Sequence, residues 1–258
     1  MSRFIIVIIL GGYCSALYCQ AQRTRSMGIR TGFNTVTYYD ESINYKVYQG
    51  SQFNPYQIHF TQNSDKTNLI FNASFLNNSL TPVKNDLYTL SDHLTFKFAM
   101  LNFSYLGRVI QLSEKLNVSM GAKLSAHVYE AQRTFKKNYP FSDIRTDRTY
   151  DLTYGSLHAS SRIRYTLSSR NSLTFDMSVP FLSLNLKNYN PRLGPSLQKV
   201  WLTSFGKYSG IGSDLAFVHR YHHVAVELFQ SVLLVQYLSP YTRKILNSTI
   251  GFGVYYEL

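Results

Sequence analysis

The sequence predicts an all-β protein: a closed antiparallel transmembrane β-barrel of roughly ten strands, with eight to twelve also compatible. Three observations lead there. The final residues alternate apolar and small or polar. The first residues read as a cleaved leader. Between them, amphipathic runs are joined by connections that are alternately short and long.

At the C-terminus, Ile250, Phe252, Val254, Tyr256 and Leu258 alternate with Gly251, Gly253, Tyr255 and Glu257. Such a period-2 pattern is a one-sided strand. A strand of this kind is expected to close the sheet against the first strand, with its apolar face toward lipid.

At the N-terminus, Arg3 precedes an apolar run from Phe4 to Leu10, then Gly11 and Gly12, and Cys19-Gln20-Ala21 ends the segment on a small residue. This is a leader pattern, with cleavage expected after Ala21. The domain division is therefore 1–21 as signal peptide and 22–258 as barrel. The apolar run is too short to cross a membrane as a helix. Both cysteines, Cys14 and Cys19, lie in the leader. The barrel then has no disulfide, thiol nucleophile or cysteine-held metal.

Composition agrees. Charged residues make up 16%, against about 25% in soluble domains. Aromatics reach 15%, with 21 Tyr against a single Trp, as aromatic girdles at two interfaces require. A mean hydropathy of -0.15 argues against a bundle of apolar helices.

Short turns are expected at Asn63–Thr67, Ser113–Lys115, Ser168–Asn171 and Arg220–His222. Long external connections are expected near Asp40–Pro55, Asn77–His93, Ala131–Leu152 and Lys187–Gly210, with a shorter one at Ser239–Lys244. Proline cannot donate to a ladder, and Pro55, Pro82, Pro140, Pro191, Pro195 and Pro240 fall in or beside those connections. Pro180 lies in the upper part of strand seven and predicts a bulge or the end of regular pairing.

The clearest strand runs from Leu116 to Val128, with Leu116, Val118, Met120, Ala122, Leu124, Ala126 and Val128 on its apolar face. The next has Leu157, Ala159, Ile163, Tyr165 and Leu167 outward. In strand four, Phe96, Phe98 and Met100 have one parity and Phe103 and Tyr105 the other. That predicts a bulge near Leu101 or a strand reaching past the membrane. Lys199–Phe205 reads as an extra strand above the membrane or as part of a further transmembrane pair. A soluble β-sandwich would also bury one strand face, and it is the alternative fold.

The opposite faces carry charge. Lys123, His127, His158, Arg162 and Arg164 lie on the inward parity of the central strands, Asp176 on that of strand seven, and Glu227 and Glu257 near the same end. A barrel of roughly ten strands has a narrow lumen, so these groups need partners. Together they form the expected lumen charge network, a structural salt-bridge filling or else a ligand or ion path.

No motif specifies catalysis, a metal or a cofactor, and none of these is expected. His219, His222 and His223 cluster at a turn without metal-ligand spacing. Asp92-His93 is a conceivable acid–base dipeptide with no marked nucleophile beside it. Ten-stranded outer-membrane proteases pair aspartates with a histidine at the external rim, but that motif cannot be placed on this chain. Outer-membrane lipid hydrolases carry Ser and His on an outward barrel face, whereas His59, His127 and His158 have inward parity.

The formal charge is +12. In an exported chain with scattered charges, nucleic acid is not the expected partner. One proposed loop holds Arg133, Lys136, Lys137, Arg145 and Arg148, a basic rim suited to the phosphates of lipopolysaccharide and other outer-membrane lipids. Glu130, Asp143, Asp147 and Asp151 share that loop, so a mixed solvated hairpin explains it equally.

The alternating C-terminal face, together with Gln22 after the expected cleavage site, resembles the small outer-membrane β-barrel proteins of Bacteroidota. Leu258 stands where such barrels usually end on an aromatic residue. The resemblance implies an outer-membrane location. The functional expectation is a non-enzymatic barrel that supports an envelope protein complex or presents surface loops. A narrow channel for small solutes is second, and a lipid- or peptide-hydrolysing enzyme third.

Overall fold

The computed structural model describes residues 24–41, 44–53, 56–64, 66–84, 89–137, 145–188, 198–204, 208–238 and 242–258. The expected leader lies outside these residues, as do Pro55, Pro140, Pro191, Pro195 and Pro240. The described chain forms strands β1 (Thr24–Asp40), β2 (Asn44–Phe53), β3 (Tyr56–Asn63), β4 (Thr67–Pro82), β5 (Thr89–Gln111) and β6 (Leu116–Lys137). It continues through β7 (Arg145–Thr166), β8 (Asn171–Asn188), β9 (Gln198–Ser204), β10 (Tyr208–Tyr221), β11 (Val224–Tyr237) and β12 (Arg243–Glu257).

The sheet is antiparallel and closed. β1 pairs β12 from Ser26↔Glu257 to Asp40↔Arg243, and β10 pairs both β11 and β8. The twelve strands make a ring of ten staves, because two staves are each built from two strands. β2 runs beside the upper part of β1, from Asp40↔Asn44 to Phe33↔Phe53. β3 continues beside the lower part, from Arg30↔Gln57 to Thr24↔Asn63. Likewise β9 pairs the end of β8, and β10 takes Ser178 down to Asn171. A closed ring satisfies backbone donors and acceptors internally, as a lipid environment demands.

At three of the short turns a serine hydroxyl accepts the returning backbone N–H: Ser64 from Thr67, Ser113 from Leu116 and Ser168 from Asn171, each at 3.1 Å. The fourth turn places His222 at φ 53°.

Several expectations are corrected. Asp40–Pro55 is not one long loop, since Asn44–Phe53 is the upper half of stave two. Its alternation is weak because it runs beyond the lipid-facing zone, where the outward side also meets water. The connections at Asn77–His93 and Ala131–Leu152 are shorter than expected, as β4 runs to Pro82, β5 starts at Thr89, β6 reaches Lys137 and β7 starts at Arg145. Residues 198–204 form β9, the upper part of a broken stave rather than a further transmembrane pair. No bulge occurs near Leu101, and the β5–β6 register is continuous from Asp92↔Phe135 to Arg108↔Ser119. Pro180 does sit at an irregularity: it faces His158 while Leu182 faces Leu157, leaving Phe181 as the extra residue.

Outward side chains form an apolar belt, including Ile29, Phe33, Phe103, Tyr105, Met120, Leu124, Leu228, Ile250 and Phe252. From Val118 to Val128 this face runs roughly 33 Å along β6 at about 3.3 Å per residue, or roughly 25 Å of height at a tilt near 40°. Directly above it, Lys97 and Glu130 form an outward ion pair at 3.6 Å. The ring is lopsided: β5, β6 and β7 have 23, 22 and 22 residues, whereas β11 and β12 have 14 and 15. About ten residues suffice to cross a membrane, so β5–β7 stand as a tall wall at the long-loop end.

The inside is not uniformly polar. The buried apolar cluster lies in its upper half and contains Val36, Tyr38, Tyr48, Leu80, Leu94, Phe96, Phe98, Tyr129 and Ile245. This accounts for the parity change in β5. Leu94, Phe96 and Phe98 fill the lumen, while Leu101, Phe103 and Tyr105 lower down face lipid.

Candidate functional site

The lumen is the concave polar feature, and its layers follow from the inward parity of each strand. On β1 the inward residues are Gly28, Arg30, Gly32, Asn34, Val36, Tyr38 and Asp40, from the short-turn end upward. The same layering runs around the ring by register.

At the short-turn end, Arg220 donates Nε to Glu257 at 2.9 Å and Nη1 to the Ser172 hydroxyl at 3.2 Å. Above this lies the main charge cluster, centred on Arg30. Its Nη1 and Nη2 donate to Asp214 at 2.8 and 3.2 Å. Nε donates to Glu227 at 3.1 Å and to the Tyr255 hydroxyl at 2.6 Å. Nη2 also donates to Glu227, and the guanidinium carbon lies 4.6 Å from the centre of the Phe229 ring. Beside this hub, Arg162 grips Asp176 through Nε and Nη2, both at 2.6 Å. Fork-to-fork geometry of this kind offsets the cost of taking charge out of water. Gly253 makes the space: a Cβ there would meet Arg30 Cγ at 3.0 Å and Glu227 Oε2 at 3.3 Å.

Above the ion pairs is a chamber of about 120 Å³, lined in part by His59, Asn72, Asn102, Lys123, Ser178 and Asp214. Lys123 Nζ donates to the Ser178 hydroxyl at 3.3 Å. Nearby, Asn34 donates to Asn247 and to Thr249 (2.9 Å), and receives a bond from Asn78 at 2.9 Å.

The apolar cluster borders the chamber from above, where Leu76 and Phe98 belong to both. Tyr38 lies 5.3 Å from Phe96 and 6.1 Å from Tyr129 between ring centres, and Phe96 lies 5.9 Å from Tyr129. His127 lies between Phe98, tilted at 5.8 Å, and Tyr208, stacked at 6.3 Å. Two further ion-pair groups cap this layer. Arg243 meets Asp40 at 2.7 Å, with the Tyr38 hydroxyl donating to the same carboxylate at 2.8 Å. Arg133 holds Asp92 through two bonds, at 2.9 and 2.8 Å, and Lys46 adds a third at 3.2 Å. Burial alone would raise the Asp92 pKa, but Arg133 and Lys46 outweigh it and hold the carboxyl below its ordinary range.

The residues singled out from sequence are thus distributed through several layers. Arg162 and Asp176 meet directly. Glu227 joins Arg30, and Glu257 joins Arg220. Lys123 faces the chamber, His127 sits in the aromatic layer, and His158 Nε2 lies 2.7 Å from the Ser156 hydroxyl. Arg164 lies close to Arg220 and Arg162. Arg133 is 8% exposed and turned inward, which removes it from the expected basic rim. The backbones of Lys136, Lys137, Arg145 and Arg148 lie in the β6–β7 hairpin, and their side chains are outside the described residues. Ile250, Phe252, Val254 and Tyr256 face outward, and the Leu258 N–H donates to the Arg25 carbonyl at 2.8 Å.

Asp92 and His93, adjacent in sequence, point to opposite sides of the wall, with Asp92 inside and His93 exposed. Among the described residues no group of three or more His, Cys, Asp or Glu is placed to hold a metal. His219 bonds Asn171 at 2.7 Å, His222 packs on Tyr221 and His223 on Tyr256, so the three do not converge.

Sequence reasoning missed Arg30, Asp214, Tyr255 and the Asp40–Arg243 pair. Each lies on an inward parity that alternation identifies. The Arg30–Asp214 pairing does not show, because the two sit on strands that are not neighbours in the ring, while Asp40 and Arg243 face each other across the closing seam in segments that read as connections.

No known protein family and no curated protein matches the sequence. Among solved structures, the outer membrane protease OmpT of Escherichia coli is similar at TM-score 0.58 and 9% identity, over 93% of this chain and 98% of that one. The attachment invasion locus protein Ail of Yersinia pestis aligns at TM-score 0.35 and 11% identity, over 90% of this chain and 98% of that one. An outer membrane channel from Pseudomonas putida F1 aligns at TM-score 0.38 and 10% identity, over 93% and 97%. The likeness to the protease establishes a shared barrel fold.

Proposed function

We propose that the protein is a closed, non-enzymatic outer-membrane barrel. It works as a structural or accessory component of an envelope assembly, presenting its tall wall at the surface. The observation that carries this is the filling of the lumen at two levels, by the aromatic cluster around Phe96 and by the ion pairs around Arg30. An open pore leaves a continuous aqueous path, and side chains placed in the lumen at these two levels favour a closed barrel over one. The buried carboxylates of the upper lumen, Asp40 and Asp92, are each held by an arginine, which opposes a role as a general base. The apolar belt supports residence in a membrane, and the β6–β7 hairpin residues Lys136, Lys137, Arg145 and Arg148 would meet lipopolysaccharide phosphates.

Affinity isolation from gently solubilised outer membranes, with mass spectrometry of the co-purifying chains, tests the assembly role. A stoichiometric partner supports it, and a clean monomer argues against it. Planar-bilayer recording tests the closure: stable single-channel steps from the native protein would replace this reading with the narrow solute channel.

A further inference from the structure

We propose that the chamber around Lys123 is a binding site for one small, neutral polyhydroxyl molecule. Its charged lining is balanced, with Arg30 and Lys123 against Asp176 and Asp214. A lone anion or cation would leave uncompensated charge among these partly buried groups, which is costly. The remaining lining is rich in amides and hydroxyls, among them Asn72, Asn102 and Ser178.

Two polar atoms there lack a partner. His59 is 6% exposed and its Nδ1 makes no hydrogen bond, and Asn72 Oδ1, directly across the β3–β4 ladder, makes none either. Buried polar atoms are normally satisfied. An apolar occupant would leave both unpaired. Lys123 adds an ammonium with three donors and a single hydroxyl partner at 3.3 Å. Each ligand hydroxyl both donates and accepts, so a polyol can face the ammonium on one side and carboxylate lone pairs on the other.

Size limits the ligand. The chamber holds about 120 Å³, slightly less than the roughly 150 Å³ cavity that accommodates benzene. A molecule of about six heavy atoms fits, and a hexitol does not. The site does not depend on the closed-barrel reading, because a conducting lumen would still carry this lining.

The test uses glycerol as the probe, with full-length protein purified from membranes. Thermal unfolding is followed against glycerol concentration, and sorbitol serves as a polyol too large to enter. The expected result is a saturable rise of about 2–4 °C in the midpoint with glycerol. Sorbitol should give only a linear, non-saturating rise from surface exclusion. Asn72→Leu and, separately, Lys123→Met should abolish the saturable part while leaving the linear part. Either variant that folds suffices. A glycerol response that is linear, or one that saturates equally in the variants, overturns the site. Bilayer conductance of the same preparation reports separately on closure, so the two readings fail independently.

Discussion

Arg30 and Glu227, 197 positions apart in the chain, meet inside the barrel through the Arg30 Nε, which lies 3.1 Å from Glu227 Oε2. The same guanidinium reaches Asp214 on a third strand, so one side chain links β1, β10 and β11 across the lumen. Arg30→Met would leave two carboxylates buried without their partner. Removing one side of a buried pair costs about 3–5 kcal/mol. The variant should therefore unfold at clearly lower urea concentration, and the triple change Arg30→Met, Asp214→Asn, Glu227→Gln should recover much of the loss. Equal urea midpoints for native and Arg30→Met would show that the cluster does not hold the barrel.

Asp92 predicts an acid response. Its carboxyl is held below the ordinary value of 3.8 by Arg133 and Lys46. A depressed folded pKa contributes stability that is complete above the unfolded value and is lost as pH falls through the folded one. Asp92→Asn should thus be less stable than the native protein at pH 7. The gap should close progressively below about pH 4. Urea midpoints at pH 7 and pH 3 check this, and a gap of constant size would contradict it.

The aromatic layer predicts a gain of conductance. Phe96 and Tyr129 are 0% and 1% exposed and fill the centre of the upper lumen. Truncating one large core side chain to alanine costs about 3–5 kcal/mol, so the double change will weaken the barrel. If it remains folded, Phe96→Ala with Tyr129→Ala should conduct more than the native protein in bilayers. An unchanged baseline would place the seal in the Arg30 layer.

Barrel closure depends on Gly251. A Cβ there would lie 2.1 Å from the Thr31 carbonyl oxygen, at the point where Gly32 faces Gly251 across the closing seam. Gly251→Val should push β12 from β1 and abolish the faster-migrating folded band on unheated SDS gels. Thr134→Val, on the tall wall, should leave that band intact.

These contacts also explain which parts of the fold sequence could reveal. The lipid face was legible because lipid imposes one rule on every outward residue, and Met120, Leu124, Ile250 and Phe252 obey it. The short turns and the Pro180 irregularity were legible because they depend on local chemistry. Stave two was not, since above the belt Lys46, Gln49 and Gln52 no longer alternate with apolar residues. The lumen was legible only in part. Parity identified Arg162 and Asp176, which are register partners on adjacent strands. Arg30 and Asp214 meet across the interior, at a distance that no alternation encodes.

The unequal strand lengths give the barrel a front and a back. A symmetric cylinder offers an approaching body the same profile from every direction in the membrane plane. Here the β5–β7 side rises well beyond the β11–β12 side. Rotation about the membrane normal therefore decides what a neighbour meets first, a raised parapet or a low sill. Any stable contact made by the parapet would stop that rotation and give the barrel a heading.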